Sequence, residues 1–178
     1  LIASDFDLSK RLSDVLDTAV EVMEADRGFV LLRDEKSNRL HVSVAREMGH
    51  ELAASSPSMG IAGKAAIDGE PVLMTDAATN EEFGERQSII TQRITSAMAV
   101  PLQVEDVRFG SIYVDTRKRE VRFNEEDLEL FASLATQSAM AIQNVRLHEQ
   151  MLEGEKKRAS LSRFLSPAIV EEIMREDS

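Results

Sequence analysis

Arg93 lies in a polar stretch, and its planar guanidinium is suited to hold an anion through a forked pair of hydrogen bonds. The plainer alternative is an ion pair with a surface carboxylate. The run Arg117-Lys118-Arg119, with Arg122 close behind, carries enough positive charge to meet a phosphate. A solvated hairpin tip is the simpler reading of that run. His41, His50 and His148 are metal or haem ligands by type, but they share no ligand spacing and read as surface histidines. Gly60-x-x-Gly63-Lys64 has the look of a phosphate loop, yet it lacks the spacing and the Ser or Thr that would follow Lys64 to hold magnesium. No nucleophile elbow, zinc motif or kinase signature occurs.

Composition narrows the chemistry further. The chain has 178 residues, which suits one domain plus an extension. Its 21 basic and 32 acidic residues give a net charge of −11. That field opposes nucleic acid and anionic membranes as partners. Cys is absent, so disulfides, thiolate metal sites and cysteine nucleophiles are excluded together. A cytoplasmic location is expected, with no metal and no direct membrane insertion. Leu1-Ile2-Ala3 at one end and Glu176-Asp177-Ser178 at the other read as boundaries inside a longer protein.

The elements that must position these residues follow from periodicity. Leu8, Leu12, Val15, Leu16, Ala19, Val20 and Met23 fall on one helical face, with Asp5 or Asp7 as a cap. Gly28-Phe29-Val30-Leu31-Leu32 reads as a strand buried on both faces. Leu40, Val42 and Val44 alternate with polar residues and complete a hairpin with one covered face. Residues 61–67 predict a short helix ended by Gly69 and Pro71, and 72–75 a short strand. Residues 76–95 predict a long crossing loop with a turn or two of helix. Ala97–Leu102 is a strand whose Pro101 points to an edge or bulge, and Phe109–Asp115 pairs back onto it. Asn124 and Asp127 form a capping box for a long helix, which Gly154 and the charged run 155–158 weaken into a linker. A last helix starts near Pro167. The order describes an α+β fold: an antiparallel sheet, helices on its faces and a long C-terminal dimerisation helix.

Two sites follow. A pocket is expected between the sheet and segments 58–67 and 76–95, lined by Met59, Met74, Asp76 and Phe83, with Ile89, Arg93, Ser96 and Met98. Methionines suit an adaptable cavity, but the Met and Phe residues serve equally as core. A dimer seam is expected where Leu8, Leu12 and Val15 meet Phe131, Ala135, Ser138, Ile142, Val145 and Leu152 of the long helix. The steps of three and four there match a heptad.

The ordering and four strings resemble a GAF domain over roughly residues 8–150. They are Gly60-Ile61-Ala62-Gly63-Lys64-Ala65 with Gly69-Glu70-Pro71-Val72; Ser96-Ala97-Met98-Ala99-Val100-Pro101-Leu102; Gly110-Ser111-Ile112-Tyr113-Val114-Asp115; and Phe123-Asn124-Glu125-Glu126-Asp127-Leu128 with Ala139, Ala141-Ile142 and Asn144. The family members that bind cyclic nucleotides carry Asn-Lys, then Phe-x-x-x-Asp-Glu. Asp115-Thr116 and Leu128 depart from that pattern, against a cyclic-nucleotide ligand. Leu161-Ser162-Arg163-Phe164-Leu165-Ser166-Pro167-Ala168-Ile169-Val170-Glu171-Glu172-Ile173 resembles the segment before the catalytic domain of class III adenylate or guanylate cyclases.

The resemblance implies a regulatory and dimerising module, residues 1–150, followed by a signalling linker, 151–178, that leads to a cyclase. A homodimer and a small-molecule effector are the implied partners. The alternatives are a ligand-free structural dimerisation domain, or a module of another output such as a histidine kinase or transcription activator. An enzyme of the methionine-sulfoxide-reducing kind is disfavoured, because such domains rely on cysteines that this chain lacks.

Overall fold

A computed structural model describes residues 3–51, 55–164 and 166–176. Leu165 of the cyclase-like string and both chain ends lie outside the described residues. The chain divides into two compact units, Leu1–Ile142 and Gln143–Ser178.

The first unit is built on a six-stranded sheet in the order β3-β2-β1-β6-β5-β4. Its strands are β1 (Arg27–Arg33), β2 (Leu40–Glu47), β3 (His50–Glu51), β4 (Val72–Met74), β5 (Ser96–Val104) and β6 (Val107–Thr116), and every neighbouring pair is antiparallel. Strand residues alternate between two cores, as the two-residue period requires. Val30, Met98, Val100, Ile112 and Val114 join one cluster with α1 (Ala3–Val22) and the start of α4 (Glu125–Ser162). Phe29, Leu31, Ala97, Ala99 and Tyr113 join the other, with α2 (Met59–Asp68) and α3 (Gln87–Gln92). Gly28 lets α1 approach β1 closely: a Cβ there would lie 2.8 Å from Leu16 Cδ2.

Several expectations hold in detail. β1 lies between β2 and β6. β4 pairs only with Ala97–Ala99, so Pro101 sits where β5 has an open edge and needs no donor on that side. The capping box is formed: Asp127 N–H donates to Asn124 Oδ1, and Asn124 N–H donates to Asp127 Oδ2, both at 3.0 Å.

Others need correction. β2 is less covered than its alternation predicts: Val44 is buried, but Val42 is exposed. α1 begins before Asp7, which pairs with Arg11 one turn on instead of capping. α4 does not break at Gly154 but continues to Ser162. Most residues expected at the dimer seam pack within the unit itself. Leu12, Phe131, Ala135 and Ile142 belong to the unit's own core, Leu8 and Val15 pack half-buried on it, and Ser138 is also buried. Heptad spacing on one chain matches a core-facing stripe as well as a coiled-coil seam. Val145 is half-buried and Leu152 exposed.

In the second unit, α4 runs on from Gln143, and α5 spans Pro167–Glu176. Among the described residues no helix is long and apolar enough to cross a membrane.

Candidate functional site

The expected pocket is divided by the sheet. Met74 and Phe83 are core residues under α2 and α3. Met98 joins the core on the opposite face. Ser96 is buried as a structural link: its hydroxyl donates to the Met74 carbonyl and accepts from Phe123 N–H, each at 3.0 Å. Met59 is exposed at the start of α2. Asp76, Ile89 and Arg93 remain together, and they line a different concavity.

That concavity is a surface cleft of about 710 Å³ between residues 76–95 and the tip after β6. Local hydrogen bonds set its shape. Thr95 N–H donates to the Thr116 carbonyl at 2.8 Å, and its hydroxyl reaches Thr116 and Lys118 carbonyls at 3.0 Å. Ala77 N–H donates to the Thr95 carbonyl at 2.8 Å, which ties the segment after β4 to the same point. At the end of α3, Ile94 N–H bonds the Ile89 carbonyl and Arg93 N–H the Ile90 carbonyl. This is a Schellman closure, with Arg93 left-handed at φ 56° where glycine is usual.

The cleft has a buried apolar floor of Ile89 and Ile94. Around it stand Arg93, Arg117, Arg119 and Arg122, with Asp76 as the single acid. Arg122 pairs with Asp76 at 3.0 Å. Arg117 donates its Nε to the Gln92 carbonyl at 2.9 Å, and its Nη groups have no partner among the described residues. The guanidiniums of Arg93 and Arg119 have no hydrogen-bond or ion-pair partner among the described residues. Four guanidiniums and one engaged carboxylate give the cleft an excess of positive charge, and guanidinium forks match the geometry of carboxylates and phosphates.

Beside the cleft lies a buried polar network. Arg27 donates Nε to Asp115 Oδ1 at 3.0 Å and an Nη to Asp115 Oδ2, and two further Nη donors reach Ser55 Oγ and Gln92 Oε1. Tyr113 donates its hydroxyl to Asp115 Oδ2 at 2.8 Å. Burial works against the Arg27 charge, but the bonded carboxylate of Asp115 outweighs it and holds the guanidinium pKa above its ordinary value. Burial, then the Asp115 charge, push the Tyr113 hydroxyl well above its ordinary range.

A family model described as GAF domain matches residues 7–143. The chain belongs to the GAF domain family. Solved structures share its fold. A GAF domain region from Geobacter sulfurreducens PCA is 23% identical, with a TM-score of 0.64 over 79% of this chain and 95% of that one. The blue-light absorbing form of the Thermosynechococcus elongatus PixJ GAF domain is 15% identical, with a TM-score of 0.63 over 93% and 99%. A type II free methionine-R-sulfoxide reductase from Thermoplasma acidophilum is 14% identical, with a TM-score of 0.62 over 80% and 96%. At these identities the likeness concerns fold alone.

In this GAF domain, sequence reasoning treated Arg93 and the tip arginines as separate features, and the fold brings them to one cleft. It missed the Arg27–Asp115 pair. The available signal was a charge closing each of two apolar strands, Arg27 before Gly28 and Asp115 after Val114. His41, His50 and His148 are exposed.

Proposed function

We propose that this GAF domain is the regulatory and dimerising module of a multidomain signalling protein whose output is cyclic nucleotide synthesis. One observation carries the reading: α4 is apolar on two opposite faces. Phe131, Ala135, Ala139 and Ile142 are used by the domain core, while Leu130, Met140, Leu147 and Met151 are exposed by 46, 53, 51 and 66%. The exposed set repeats with heptad steps, and Gln137 and Asn144 fall between its members on the same stripe. An Asn at such a position fixes register in two-stranded coils. A second copy of the chain fits this stripe in parallel, which sets two C-terminal ends side by side. A class III cyclase needs two catalytic halves apposed, and the resemblance of residues 161–173 to the segment before such a domain supports that output. A change in helix packing would then switch activity, provided an effector binds the two packings unequally.

The burial of Met74 and Phe83 in the core favours a second reading: a purely structural dimerisation domain with no ligand inside the fold. The two readings share the dimer and differ in whether output responds to an effector. The test is an assay of the protein extended downstream of Ser178. Conversion of ATP or GTP to the cyclic nucleotide and pyrophosphate is expected. Absence of both conversions removes the cyclase output.

A further inference from the structure

We propose that the cleft bordered by Arg93, Arg117, Arg119 and Arg122 binds a small organic phosphate. The phosphate sits between Arg93 and Arg119, and an apolar or planar body rests on Ile89 and Ile94. The inference deepens the sensor reading, and rests on it, by naming the effector's chemical class.

The charge pattern is the first argument. The whole chain carries −11, yet this concavity holds four arginines and one acid, a local balance of 4 − 1 = +3. The four guanidiniums line one concave surface, and a cleft lined by one sign of charge focuses its field on an oppositely charged ligand. A phosphate offers a double charge and three terminal oxygens, enough to accept from several guanidinium forks at once.

The free donors are the second. Asp76 satisfies Arg122, and one backbone carbonyl takes a single donor of Arg117. Among the described residues, the Arg93 and Arg119 guanidiniums and the Arg117 Nη groups have no protein partner and can donate to a ligand.

The floor and the size argue for a body beyond the phosphate. Ile89 and Ile94 are buried beneath the arginines, while Ile90 is 57% exposed at the rim. The volume of about 710 Å³ is that of a small-molecule site.

The test titrates the full 178-residue chain with phenyl phosphate and with inorganic phosphate at low salt, by calorimetry and thermal shift. Saturable binding of both is expected, with phenyl phosphate the tighter. Arg93→Gly suits the left-handed backbone, so it removes the guanidinium without threatening the fold. Combined with Arg119→Gln it should weaken phenyl phosphate binding by about tenfold or more, while the melting temperature stays level or rises. Arg39→Gln, on the distant β1–β2 turn, should leave binding unchanged. No saturable binding, or equal affinity in the Arg93→Gly/Arg119→Gln variant, overturns the site. Benzoate binding as tightly as phenyl phosphate overturns the assignment to phosphate. Binding that leaves the output of the extended protein unchanged would count against the sensor reading alone.

Discussion

Arg27 and Asp115 face each other across the β1–β6 ladder, joined by two hydrogen bonds, with the arginine 1% and the aspartate 0% exposed. The pair stands on the α2 and α3 face of the sheet and reaches Gln92 at the end of α3. It therefore anchors the residue that precedes Arg93. Removing one member strands the other charge away from water, which costs about 3–5 kcal/mol. Asp115→Asn and Arg27→Met should each lower unfolding free energy by about that amount in urea titrations. The double variant strands no charge and should cost less than the sum, with a coupling of about 0.5–3 kcal/mol. Strict additivity would show that the two residues act independently.

Tyr113 is the sole tyrosine and the chain has no tryptophan, so tyrosinate absorbance reports on one site. Its hydroxyl is buried and donates to Asp115, and its pKa is raised well above the ordinary 10.0. The folded state keeps this proton at a pH where the unfolded chain has lost it. The unfolded state then binds fewer protons, so the contribution is complete below about pH 10 and stability falls as pH rises above that value. The slope from this group is at most about 1.4 kcal/mol per pH unit. Tyrosinate should be absent in the folded protein near pH 10 and present in denaturant. Tyr113→Phe should flatten the alkaline loss of stability relative to the parent. Equal slopes in the two proteins would contradict this assignment.

Asn124 and Asp127 bond each other's backbone at the start of α4, where the first four N–H groups lack helical partners. Asn124→Ala should cost about 1 kcal/mol by chemical denaturation. Unchanged stability would mean that water replaces the cap without loss.

How much of this was legible depends on whether the signal is local. The capping box and the apolar strands were, because a few neighbouring residues carry them. Sidedness was not. Ala97-Met98-Ala99-Val100 is apolar on both faces, so nothing in it reveals that Met98 points away from the expected pocket. The Arg27–Asp115 pair needs the β1–β6 register across a long separation in sequence, and the meeting of Arg93 with Arg119 needs the whole crossing segment folded. The stripe through Phe131 and Ile142 was seen, but which partner it faces is a tertiary fact.

The two faces of α4 can be separated by experiment. Phe131 is fully buried in the domain core, so Phe131→Ala should remove about 3–5 kcal/mol of stability. Met140 and Leu147 are exposed on the opposite side, so Met140→Glu with Leu147→Glu removes little from the folded domain. If that stripe joins two copies, the double substitution places like charges across the seam and should turn a dimer into a monomer in sedimentation equilibrium, with the domain's own circular dichroism intact. Under the same conditions Phe131→Ala should weaken folding before it alters association. A parent protein that is monomeric at all concentrations, or a double variant that dimerises as well as the parent, would show that the second apolar face of α4 does not join two chains.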